Sequence, residues 1–259
     1  MKRLVQSIML LALVAPGVPV FAEDDQTIAY FYPLRTRRPV IERELELRVE
    51  HEKGRDERVT EVEAAIELPI LPRWQVEVEV PFVLLDPRDG ASVAGFGDVT
   101  MESKVLVWRS LEQLAALALG VEGRLPSGSE RRGLGGEAAV EPFAAFGVAL
   151  GDFDVLTSVA YEFNVTAGVK GPNEQELDAS AALGWRLHRR FTPLVELATV
   201  TRTRGDNEDH LRHRTQVYVI PGFDLRPLPG TTLRLGVELP LTDARSHDYA
   251  ILGGLVKEF

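Results

Sequence analysis

The feature that most constrains this chain is a two-residue alternation of apolar and polar side chains, repeated along most of its length. Trp74, Val76, Val78, Val80 and Phe82 are apolar, with Glu77 and Glu79 between them. Thr231, Leu233, Leu235, Val237 and Leu239 repeat the pattern around Arg234 and Glu238. In a strand, a period of two sends the two sets to opposite faces of a sheet. About twelve such segments can be drawn, each near the length that crosses a bilayer as a tilted strand.

The expected strands lie near 41–50, 59–68, 74–83, 97–108, 114–125, 138–149, 153–164, 177–187, 191–200, 214–226, 231–240 and 249–259. Short connections follow every second strand: Pro69 to Arg73, Arg109 to Gln113, Leu150 to Asp152, His188 to Arg190 and Pro227 to Gly230. The others are longer and polar, as in Asp86 to Gly95, Pro126 to Gly136, Val165 to Glu176 and Thr201 to His213. Those after the first and eleventh strands are intermediate but charged. Short turns at one end and longer loops at the other mark transmembrane barrels. The expectation is an all-β, closed, antiparallel up-and-down barrel of about twelve strands over 41–259, with both termini at the short-turn end.

The first residues are Met1, Lys2 and Arg3, followed by an apolar run from Leu4 to Val14 and by Val20-Phe21-Ala22. This has the plan of a cleaved export signal over 1–22 and is too short for a transmembrane helix. Residues 23–40 lack alternation and are expected as an irregular periplasmic leader. They carry Tyr30, Phe31 and Tyr32 and a basic cluster of Arg35, Arg37 and Arg38. Without cysteine there is neither a disulfide nor a lipidated N-terminal Cys. Once Lys2 and Arg3 leave with the signal, 27 basic residues face 39 acidic ones, a net charge of −12. An exported acidic protein is a poor partner for nucleic acid.

Strand-end aromatics (Trp74, Phe82, Trp108, Phe153, Phe163, Trp185, Phe191 and Tyr249) fit interfacial belts. The final strand puts Tyr249, Ile251, Leu255 and Phe259 on one face. A C-terminal Phe resembles the signal read by the barrel-assembly machinery, an expected partner alongside outer-membrane lipid. Lys257 stands where that signal has an apolar residue, and its stem is expected to lie along lipid with the ammonium at the headgroups.

The inward set is heavily charged. Its lumen-facing candidates are Glu44, Glu46, Glu63, Glu77, Glu79, Asp98, Glu102, Lys104, Glu122, Arg124, Arg186, Arg226, Arg234 and Glu238. So many charges require water or a lattice of ion pairs. Twelve strands fall between barrels filled by their own side chains and wide porins. Two arrangements therefore stay open. One is a narrow pore whose acidic wall favours cations or neutral solutes. The other is a lumen plugged by paired Glu and Arg, with a structural or loop-mediated role. A soluble periplasmic β domain is a third.

Other chemistry is weaker. His210 and His213, near Asp206, Glu208 and Asp209, are read as a solvated loop, so no metal is expected. Ser127-Gly128-Ser129 and Gly133 to Gly136 lack the Lys-Ser or Lys-Thr of a phosphate cradle. No His is visibly matched to a strand-end Ser, so neither an enzyme nor a cofactor is expected.

Gly95-Phe96-Gly97-Asp98-Val99 opens a strand that continues to Trp108. It resembles the glycine-glycine-aspartate signature of the MetA-pathway phenol-degradation family of outer-membrane transporters. Val80-Pro81-Phe82, Leu125-Pro126-Ser127-Gly128 and Val140-Glu141-Pro142 fit the same family, and the resemblance covers roughly residues 60 to 165. It implies a bacterial outer-membrane barrel moving small, often aromatic, compounds, and it supplies no binding residues. Physically, Gly95 and Gly97 would relieve a bend at the barrel mouth. Asp98 would point inward just below it, to select solutes or anchor a loop.

Overall fold

A computed structural model of the chain describes residues 28–165, 175–204 and 214–259. The expected export signal, and His210 and His213, lie outside these residues.

The alternating segments form thirteen strand segments in chain order. They are β1 (Glu44–Lys53), β2 (Glu57–Leu71), β3 (Trp74–Pro87), β4 (Val93–Phe96), β5 (Val99–Ser110), β6 (Ala115–Leu125), β7 (Ala139–Leu150), β8 (Phe153–Asn164), β9 (Gln175–Trp185), β10 (Phe191–Arg204), β11 (Thr215–Leu228), β12 (Thr231–Pro240) and β13 (Tyr249–Glu258). β4 and β5 are one barrel strand broken at Gly97–Asp98. β3 pairs Phe82 with Phe96 and then Glu79 with Thr100, so one extra residue bulges between. Twelve barrel strands result. Each pairs antiparallel with its sequence neighbour, and β1 pairs with β13 from Glu44↔Glu258 to Lys53↔Tyr249, closing the sheet. No edge is left with unpaired backbone, as a hydrocarbon surrounding demands.

Several strands overrun their expected limits; β2 and β3 extend past Leu68 and Val83 to Leu71 and Pro87. The connection between β1 and β2 is short, only Gly54 to Asp56. No helix of the described residues is long and apolar enough to cross a membrane.

Burial is inverted relative to a soluble protein. Glu46, Glu77, Glu102, Lys104, Glu196 and Asp224 are buried, whereas Met101, Leu119, Leu183, Leu197, Leu235 and Ile251 are exposed. A continuous apolar exterior of this kind is not tolerated by a monomer in water. The valines and leucines lie on the outer surface of a single closed sheet, which rules out the stacked sheets of a soluble sandwich. Aromatic pairs mark both ends of the belt. Phe153–Trp185 and Phe191–Phe223, with centroids 6.1 and 5.7 Å apart, sit at the short-turn end. Phe82–Phe96 and Tyr161–Phe163 sit toward the loops.

Candidate functional site

The lumen is occupied by the chain itself. Residues 28–43, upstream of β1, run into the barrel from the short-turn end, bend at 34–36 and return to Glu44. The segment is irregular as expected, but residues 28–40 lie within the wall instead of on the periplasmic side. The reason is its composition. Ile28, Tyr30, Phe31 and Val40 are apolar and bury against Leu106, Ala116, Ala149, Leu156, Ala182 and Leu194. Leu34 packs against Ile220, Ala250 and Leu252. The wall is shaped to receive them: a Cβ at Gly184 would collide with the Phe31 ring, and one at Gly236 with Leu34.

Polar groups fix the plug's path. The Tyr30 hydroxyl shares its proton between the carbonyls of Gly147 (2.9 Å) and Leu114 (3.1 Å). The Tyr32 amide donates to Asp224 (2.9 Å), and its hydroxyl shares its proton between Glu44 (2.9 Å) and Glu258 (2.7 Å). Burial pushes the Tyr32 phenol above its usual range, although Arg38 pulls against it. At the bend, the Glu196 carboxylate accepts from the amides of Leu34, Arg35 and Thr36 and from the Thr36 hydroxyl. A buried carboxylate on β10 thereby supplies the partners an irregular backbone otherwise lacks.

Two arginines, Arg35 and Arg37, tie the plug to the acidic wall, and a third, Arg38, braces the plug internally. Arg35 pairs with Glu50 and, at 2.8 Å, with Glu238. Arg37 pairs with Glu102, and with Glu122 and Glu141 at 2.6 Å each, its guanidinium 4.2 Å from the Phe143 ring centroid. Burial opposes the Arg37 charge, but those three carboxylates outweigh it and hold the group above its usual range. Arg38 pairs with Glu42 and stacks 3.7 Å over Tyr32.

The wall carries its own lattice. Arg48 reaches Glu46 (3.0 Å), Glu63 (2.8 Å), Glu77 (2.9 Å) and Glu79 (2.5 Å). Lys104 lies 3.8 Å from both Glu67 and Glu102, and Arg234 pairs with Glu46. Glu44, Glu46 and Glu67 bring acceptor atoms within 4.8 Å of one another, a grouping that a metal ion could use. Each already has a partner: Tyr32 for Glu44, Arg48 and Arg234 for Glu46, Gln75 and Lys104 for Glu67. The cluster therefore belongs to the ion-pair lattice. Between plug and wall a cavity of about 320 Å³ remains, bordered by Glu50, Glu61, Glu63, Glu77, Glu79 and Arg48 among others.

The remaining candidates are dispersed. Arg124 pairs with Glu162 (2.6 Å) toward the loop end. Arg186, just past β9, pairs with Asp154 (3.0 Å), and Arg226 with Asp224 (3.4 Å), both at the short-turn end. Glu238 also meets His247 (2.8 Å) of the β12–β13 loop. Asp98, turned inward by the bulge, accepts from the amides of Gly128 (2.7 Å), Gly136 (2.9 Å) and Glu137 (3.1 Å). It anchors the loop after β6 at the mouth. Gly135, at φ 132° against the Asp98 carboxyl, leaves no room for a side chain.

A family model described as "Putative MetA-pathway of phenol degradation" matches residues 57–246. No match was found among curated proteins. Among solved structures, the NanC porin superposes with a TM-score of 0.58 at 10% identity, covering 83% of this chain and 98% of that one. The KdgM porin gives 0.56 at 11% identity, covering 83% and 99%. The β domain of the Bordetella autotransporter BrkA gives 0.54 at 13% identity, covering 83% and 98%. At such identities the likeness is one of fold.

Proposed function

Because the chain belongs to the MetA-pathway phenol-degradation family, we propose that it is an outer-membrane channel for small neutral or cationic solutes, aromatic compounds among them, and not an enzyme. Residues 28–43 of the chain fold into the lumen of that channel and obstruct it. One observation carries the reading. The main obstruction comes from residues 28–43, which are not part of the wall, so a rearrangement of this segment opens the barrel without breaking a strand pairing. The wall behind the segment is acidic, which raises the local concentration of cations and excludes anions. Two of the superposing barrels are named as porins, which supports the reading. The inverted burial pattern supports a place in the outer membrane, where strands cross the bilayer.

The depth of the plug favours a second reading, a permanently closed barrel that acts through its outer loops. Planar-bilayer recording separates the two. The full chain is expected to be closed with rare openings, and a variant lacking residues 28–40 to give steady cation-selective steps. If that variant folds, as judged by heat-modifiable gel mobility, yet stays silent, the channel reading fails and the structural one stands.

A further inference from the structure

The short-turn end of the barrel holds a second cavity, of about 560 Å³, separate in character from the acidic one. Arg43, Arg189, Arg190 and Arg226 border it, with Arg38 and Tyr32 at its back. Its volume lies in the range of small-molecule sites. Five arginines face two glutamates there, Glu42 and Glu258. Both glutamates are engaged, Glu42 by Arg38 and Glu258 by the Tyr32 hydroxyl. Arg226 leans on Asp224, but among the described residues Arg43, Arg189 and Arg190 make no ion pair. Arg38 adds a buried Nε that has no hydrogen-bond partner. The rest of the lining is largely apolar, including Ile41, Pro227 and Phe259.

Unpaired guanidinium groups around an apolar hollow match one kind of ligand. Each offers a planar fork of donors suited to carboxylate or phosphate oxygens, and an apolar body would cover the remaining lining. We infer that this vestibule binds an anionic group, carboxylate or phosphate, carried on an apolar body. Such a group reaches the site from two sources: a free organic acid in the compartment below, or the phosphodiester headgroup of a lipid in the facing leaflet. The inference goes beyond the channel proposal and does not depend on whether the barrel conducts.

The test is calorimetric titration of the full chain in an uncharged detergent at low salt. Three probes are used: octanoate, short-chain dihexanoyl phosphatidylglycerol, and octanol as the uncharged control. Saturable binding of octanoate, of the lipid or of both is expected, with none for octanol. Octanoate alone identifies a free acid as the source, and the lipid alone identifies a headgroup. The double substitution Arg189→Ala/Arg190→Ala changes only an exposed turn, and it should weaken binding roughly tenfold or more, the scale of losing charge-assisted hydrogen bonds. Arg43→Gln provides a second variant should the turn fail to fold. The inference is overturned if neither anion saturates, if octanol binds equally well, or if folded variants bind as tightly as the parent.

Discussion

Arg37 and Glu141, 104 residues apart in the chain, meet at 2.6 Å inside the barrel. The contact joins the bend of the plug to β7, on a sheet that closes through β1 and β13. The guanidinium that makes it also satisfies Glu102 and Glu122, so one side chain neutralises carboxylates on three successive strands.

Replacing Arg37 by Ala takes the shared guanidinium from Glu122 and Glu141 and leaves Glu102 with Lys104 alone, at 3.8 Å. The cost is expected at roughly 1–3 kcal/mol, the penalty for stranding buried polar groups. It should fall on the plug and not on the strand pairings. In planar bilayers, Arg37→Ala should open more often than the parent while its gel mobility stays that of a folded barrel. An unchanged closed state would show that the apolar base alone holds the segment.

Gly184 offers a test by shape. Val at this position puts methyl groups where the Phe31 ring lies, and the wall strand cannot retreat without losing pairing to β8 and β10. The plug should be displaced, exposing the bonds after Arg35 and Arg37 to trypsin at a rate well above the parent's. Gly253→Ala is the control, since a Cβ there meets nothing nearer than 3.9 Å. Equal cleavage of the two variants would contradict the packing described.

Asp98 should govern the loop after β6. Asp98→Ala removes the acceptor for three backbone amides, worth about 1.5–3 kcal/mol per bond to a charged group before compensation by water. Amide hydrogen exchange over residues 127–138 is expected to speed up markedly while β5 and β6 keep their protection. Asp98→Asn, which retains one carbonyl acceptor, should lie between.

The exterior can be tested by depth. Leu235, in the middle of β12 and 46% exposed, faces outward, so Leu235→Arg should destabilise folding into vesicles by about 2–4 kcal/mol. Leu241, just beyond the strand end, should cost only about 0–1 kcal/mol as Arg. Denaturant titration in lipid vesicles reads both, and equal costs would deny the membrane position.

Selectivity follows from the wall. In a barrel lacking residues 28–40, Glu63→Gln with Glu79→Gln leaves Arg48 with fewer counter-charges. Cation preference, read from reversal potentials in a salt gradient, should fall roughly twofold or invert, as expected when the sign of a pore lining changes. A preference that does not move would place the permeation path elsewhere.

Strand direction, face and closure were legible because lipid and lumen demand opposite chemistry at alternating positions, and Leu233, Arg234 and Leu235 declare that alternation directly. The inward-facing carboxylates could be named for the same reason. The plug was not legible, since an irregular segment has no period. Its signals were indirect: the cluster Arg35, Arg37 and Arg38 upstream of an acid-rich wall, and glycines such as Gly184 and Gly236 at inward positions. Only pairing in three dimensions connects the two. Asp98 was recognisable as an inward residue at a glycine-flanked bend, but its partners Gly128, Gly136 and Glu137 depend on how the loop folds back.

The Tyr32 hydroxyl lies within hydrogen-bond distance of both Glu44 on the first barrel strand and Glu258 on the last, with its one proton shared between them. Those two residues face each other across the seam where the cylinder is sealed. The plug residue thus acts as a stitch across the join. The seam has to close before Tyr32 can reach both sides of it, so a folding intermediate with an open seam lacks the place in which that segment rests.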